Sequence, residues 1–156
     1  MNRKPYVLHT CASLALALAA APAAHAALGA PHASVDSDQT EMRALRQTEP
    51  HGAYQVEHLA LGNGAYVQEY IDASGTVFAV SWHGSAMPNL RQLLGSYAER
   101  ASDGVHAYHQ MHGAHGTAAV SSADFVLQMN GRMGAYWGRA WLPAQLPGGV
   151  GTADIQ

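Results

Sequence analysis

Histidines at positions 106, 109, 112 and 115 recur at every third residue, with Met111 among them. Neutral imidazole suits Zn, Cu(II) and Ni, so the run is a candidate transition-metal site. The spacing weighs against all four meeting at one ion. On an α-helix each step of three residues falls about 60° short of a full turn, so only neighbouring pairs converge. On a strand an odd step sends successive rings to opposite faces. Gly113 and Gly116 favour a flexible loop over 101–116, which can wrap a metal but lacks pre-organisation. A solvated loop of biased composition explains the same residues; binding of Zn, Cu or Ni by His106, His109, His112 and His115 stands as the alternative.

Other arrangements are weaker. Gly84-Ser85 lacks the second glycine that a hydrolase nucleophile turn needs. Glu69 and Asp72 can be written as an acid and base pair, but an outward strand residue and a turn residue is the simpler reading. Gly148, Gly149 and Gly151 precede no helix and make no phosphate cradle. The pattern of two histidines flanking a glutamate, as in zinc proteases, is absent. Trp82, Tyr136, Trp137 and Trp141 can present a stacking surface for sugars or a partner peptide, or can fill the core. On a strand over 133–141, Trp137 and Trp141 share a face and Tyr136 takes the other.

The elements that must position these residues follow from periodicity. Ala27 to Val35 reads as an extended arm. Ser37 or Asp38, with Glu41 in the capping-box position, starts a helix expected to run to about Thr48. Tyr54, Val56 and His58 alternate with Gln55 and Glu57 as in a half-buried strand. Gly62-Asn63-Gly64 forms a hairpin turn, Ala65 to Ile71 a second strand, and Asp72 to Gly75 another turn. Thr76 to Trp82 is a third strand whose apolar run, Val77-Phe78-Ala79-Val80, implies cover on both faces. Leu90, Leu93, Leu94 and Tyr97 fall on one helical stripe. Ala118 to Met129 and Met133 to Trp141 read as two further strands around a turn at Asn130-Gly131. The Pro/Gly-rich tail resists both helix and strand and lies over the domain or stays mobile. The fold class is α+β: an antiparallel sheet of about five strands, a β-meander plus a hairpin, with one or two helices on one face.

Residues 1–26 have the parts of a Sec-type signal peptide in order. Arg3 and Lys4 are the positive region, Cys11 to Ala21 the apolar run, and Ala24-His25-Ala26 the small-residue cleavage pattern. The apolar run is shorter than the roughly 20 residues of a spanning helix. Cys11 sits inside that run and leaves with it. Cleavage after Ala26 leaves 130 residues, 27–156, as one small domain without cysteine or any second membrane-length segment. The protein is therefore expected to be periplasmic or secreted. The mature chain keeps six arginines against eleven carboxylates, a net charge of −5 with the histidines neutral. No basic stripe exists for nucleic acid, which argues against that class of partner.

Three separated stretches carry a family resemblance: Leu28-Gly29-Ala30-Pro31; Gln68-Glu69-Tyr70-Ile71 through Gly75-Thr76-Val77-Phe78-Ala79-Val80-Ser81-Trp82 to Leu93-Leu94-Gly95; and Gly138-Arg139-Ala140-Trp141-Leu142-Pro143 followed by Leu146-Pro147. Together they resemble an exported proteobacterial family known as domain of unknown function 2844. The resemblance implies export and a single domain, and brings no activity or functional residue with it. The reading that follows is an exported, non-enzymatic binding module for a protein or envelope component. A periplasmic metal-binding protein is the alternative, and an enzyme of unrecognised type the third.

Overall fold

The computed structural model describes residues 28–114 and 116–156; the expected signal segment and His115 lie outside the described residues. A 3-10 turn, His32–Ser34, leads into α1, Val35–Met42. Four strands follow: β1 Leu45–Pro50, β2 Tyr54–Ala60, β3 Ala65–Asp72 and β4 Val77–Gly84. The short α2, Leu90–Leu94, runs through a 3-10 turn into α3, Ala98–His112. The chain ends in β5 Ala118–Ser121, β6 Val126–Arg132, β7 Ala135–Trp141 and a tail. The seven strands form one antiparallel sheet in the order β1-β2-β3-β4-β7-β6-β5.

The α+β class and the antiparallel sheet agree with the sequence reading; the strand number does not. Both extra strands have local causes. Arg43 adopts a left-handed conformation, φ 50°, and its N–H closes on Gln39 and Thr40. That stops α1 six residues before the expected Thr48 and frees Leu45–Pro50 to become an edge strand. The single strand expected over Ala118–Met129 is broken where Ser122 hydrogen-bonds Asp124 and the Phe125 carbonyl, giving β5 and β6. The last hairpin also turns later than Asn130-Gly131, at Met133-Gly134, where Gly134 has φ 81°. The stretch expected as a loop over 101–116 is mostly helix α3. Ala101 is buried on the sheet side, and Val105 packs against the same core. Gly104 lets α3 approach β5, since a Cβ there would stand 2.5 Å from Val120.

Each sheet face has its own cover. On the first, Leu59, Val67, Val80, Trp82, Ala140 and Leu127 pack beneath Val35, Leu93, Leu94 and Ala101 of the helices. On the second, Val56, Tyr70, Phe78, Ala79 and Trp141 meet Ile155 of the tail. A bulge in β4, where the register steps from Tyr70↔Ala79 to Ile71↔Val77, puts consecutive Phe78 and Ala79 on that second face. The apolar run of β4 is thus covered on both sides, as its composition implies. Among the described residues no helix is long and apolar enough to cross a membrane.

Candidate functional site

Cross-strand partners share a face, so the register lays out the second face row by row. The innermost row is Glu49, Val56, Tyr70, Ala79, Trp141 and Val126. The tail straps it. Ile155 is fully buried there, Arg139 donates to the Thr152 and Ile155 carbonyls, and Tyr70 and Ser81 hydroxyls donate to the Gln156 carbonyl. Burial under this strap pushes the Tyr70 hydroxyl above its ordinary pKa. The middle row is polar: Gln47, His58, Gln68, Ser81, Arg139 and Gln128. The outer row is Leu45, Ala60, Tyr66, His83, Trp137 and Asn130.

The strap stops short of that outer row. Tyr66 is 51 % exposed, Trp137 47 % and Leu45 79 %, and these are three of the five large apolar side chains exposed among the described residues. Tyr66 and His83 stack in parallel, ring centres 5.3 Å apart, and Trp137 is the next cross-strand neighbour of His83. Beside them opens a groove of about 1120 Å³ whose walls include Gln47, Glu49, His58, Tyr66, Gln68 and His83. Its floor is held by a relay of hydrogen bonds. Glu49 pairs with His58 at 3.2 Å, the Gln68 amide meets the His58 ring at 3.3 Å, and Gln68 Oε1 lies within hydrogen-bond distance of the Ser81 and Tyr70 hydroxyls.

The first face holds buried charge instead. Glu57 and Glu69 are directly opposed across β2 and β3, and both are buried, as is Asp38 above them on α1. Like charges in this position destabilise a sheet, and the two are treated differently. Burial opposes ionisation of Glu57, but hydrogen bonds from Arg46, Thr48 and His32 outweigh it and hold the carboxyl below its ordinary range. Arg46 also pairs with Asp36, tying α1 to the edge strand. Burial, and then the charge of Asp38, push Glu69 well above its ordinary range. Gln92 of α2 donates to the same Asp38 carboxylate. This cluster docks the helices on the sheet; Glu69 is no outward strand residue.

The remaining sequence candidates fall as follows. Asp72 caps its turn, accepting from Ser74 and Thr76. Trp82 is 1 % exposed in the core. Trp137 and Trp141 do share a face, with Trp141 beneath the strap and Trp137 beyond it. His106, His109 and His112 lie on α3, where the His109 ring approaches the Thr117 carbonyl at 3.1 Å and His112 stacks on Tyr108 at 4.3 Å. Among the described residues no three metal-ligating side chains are grouped to hold an ion.

A family model for a protein of unknown function, DUF2844, matches residues 24–155. The chain belongs to that family. No curated protein and no solved structure matches it. The DUF2844 span takes in every strand and helix described above and the strap as far as Ile155. Sequence reasoning missed Leu45, Tyr66, Gln68 and His83 as partners of Trp137. The signal was the period-two placement of Tyr66, Gln68 and Tyr70 opposite Ala65, Val67 and Glu69. The strand register, which places these residues beside β7, is not written in any one segment.

Proposed function

We propose that this chain is a non-enzymatic, exported binding module that takes a protein or envelope component on the open half of its second sheet face. The observation that carries the reading is the outer row itself. Leu45, Tyr66 and Trp137 come from three different strands, yet stand about half-exposed or more on one face beside a wide groove. Large apolar side chains gathered on a surface and bordered by polar groups mark interaction sites. Aromatic residues at such a site typically carry most of the binding energy. The rings and the Glu49–His58–Gln68 relay stand on sheet strands, so the face is pre-organised and loses little entropy on binding. The export signal in residues 1–26 supplies the compartment.

The test is retention of the purified, processed chain on an envelope fraction, compared with Trp137→Ala and Tyr66→Ala. Both variants are expected to melt like wild type, because these side chains are already exposed, and to lose at least tenfold in retention. Undiminished retention by both variants would overturn the assignment of the face. Turnover of any substrate in an unbiased hydrolase screen would overturn the non-enzymatic reading.

A further inference from the structure

We infer that the occupant of this face is an uncharged saccharide chain, with Tyr66–His83 and Trp137 as adjacent stacking subsites. The inference rests on the binding-face reading above and narrows it to one ligand chemistry. A pyranose ring has two kinds of surface: a flat C–H face that is apolar, and a rim of hydroxyls that both donate and accept. The outer row supplies flat π surfaces, the Tyr66–His83 stack and the half-exposed Trp137 ring. Neighbouring strands are about 4.8 Å apart, so anchors on β3, β4 and β7 lie within the span of a disaccharide.

The flanking row supplies the matching polar chemistry. Gln47 and Gln68 of the middle row carry amides that can both donate and accept, and the half-exposed Glu49 carboxylate of the neighbouring row accepts. Two of these three are already oriented through His58. Glu49 and His58 pair at 3.2 Å, and His58 and Gln68 meet at 3.3 Å. A hydroxyl-rich ligand thus meets a floor whose directions are fixed before it arrives.

Charge argues for a neutral ligand. Of the two arginines on the strands of this face, Arg139 is spent on Gln128 and the strap carbonyls, and Arg132 stands at the far hairpin end beyond Trp137. The mature chain at −5 repels acidic polymers. A protein partner is the weaker fit, because the exposed rings are separated from the strapped apolar row by a continuous polar one. Protein interface cores are depleted in such polar and charged groups.

The chain carries its own reporter. Of its three tryptophans, Trp82 and Trp141 are buried, so a ligand stacked on this face changes the emission of Trp137 alone. The experiment titrates the processed full chain with soluble uncharged α- and β-linked glucans and with alginate as an acidic control. Emission and affinity electrophoresis are the readouts. Binding of at least one uncharged glucan is expected, with a blue-shifted emission, no response to alginate, and about tenfold weaker binding in Trp137→Ala and in Tyr66→Ser. Trp137→Phe keeps a stacking ring and is expected to retain the glucan while losing the spectral shift. No retardation by any uncharged glucan would overturn the inference. If Trp137→Ala still abolished envelope retention in that case, the face would stand as a binding site and its partner would be a protein. If retention also survived, the face reading would fall as well.

Discussion

Gly138→Ala should destabilise this protein's core, and the reason is one contact. A Cβ at position 138 would stand 2.2, 2.6 and 2.9 Å from Cζ2, Cε2 and Cη2 of Trp82. Carbon atoms rest at about 3.5–4.0 Å, so the indole would have to withdraw by roughly 1 Å. It has nowhere to go. Trp82 is 1 % exposed, within the cluster that includes Val67, Val80 and Leu127. Its Nε1 has no hydrogen-bond partner among the described residues, so packing alone holds the ring. Overpacking of this kind costs about 1–3 kcal/mol, and a rigid ring pressed along its edge belongs at the upper end. At roughly 3–5 °C per kcal/mol for a chain of this size, the melting temperature falls by about 5–15 °C. The assay is thermal unfolding followed by near-ultraviolet circular dichroism, with Gly62→Ala as control. Nothing lies within 4 Å of a Cβ at position 62, so that change should be neutral or stabilise by up to about 1 kcal/mol. The double variant Gly138→Ala/Trp82→Phe removes the clashing ring atoms and should lose less than the sum of its parts. A Gly138→Ala protein melting with wild type, or strict additivity in the double variant, would refute the packing argument.

Four further expectations follow, three of them from the same architecture. Leu94 is 1 % exposed beneath the helices, so Leu94→Ala should cost about 2–5 kcal/mol, read by denaturant unfolding; a wild-type midpoint would mean that α2 is not docked there. Burial raises Glu69 above its unfolded value, so its contribution to stability falls as pH rises above about 4.3. Glu69→Gln does not titrate and should gain on wild type as pH rises above about 4.3 in urea unfolding; parallel curves would refute the raised value at that site. Glu57 acts in the opposite sense, losing its contribution as pH falls through its lowered value. Intact-mass measurement on protein from the envelope fraction should give an N-terminus at Ala27, and a mass retaining Met1 would remove the export reading.

The parts of the fold legible in the sequence are those decided locally. Gly64, with φ 85°, makes its turn wherever the strands go, and the run Val77 to Val80 needs cover on both faces in any sheet. Edge strand β1 was not legible. Leu45 and Arg46 extend the helical spacing of α1, and a strand exposed along most of its length shows no alternation to betray it. Helix α3 was hidden by the glycine- and histidine-rich composition of 101–116, although Gly113 and Gly116 lie past its end and Gly104 serves its approach to Val120. Asn130-Gly131 has the composition of a turn, yet Gly131 is in β6, where a Cβ would stand 2.5 Å from the Tyr136 ring. The candidate site was half legible. The shared face of Trp137 and Trp141 follows from period two, but Tyr66 and His83 join it only through the pairing of β4 with β7. The buried carboxylates gave no signal at all, since a glutamate on a strand is outward unless a partner such as Arg46 or Asp38 arrives from elsewhere.

The order β1-β2-β3-β4-β7-β6-β5 has a consequence for how the chain is made. Strands β1 to β4 pair with sequence neighbours, and so do β5 to β7; a single seam, β4 with β7, joins the two meanders across more than fifty residues. A nascent chain completes β4 well before β7 exists. During that interval the strand destined for cover on both faces is a bare edge, with the amides and carbonyls of Val77 to Trp82 open to any other extended chain. The most apolar strand of the protein is the last to be closed on its free side.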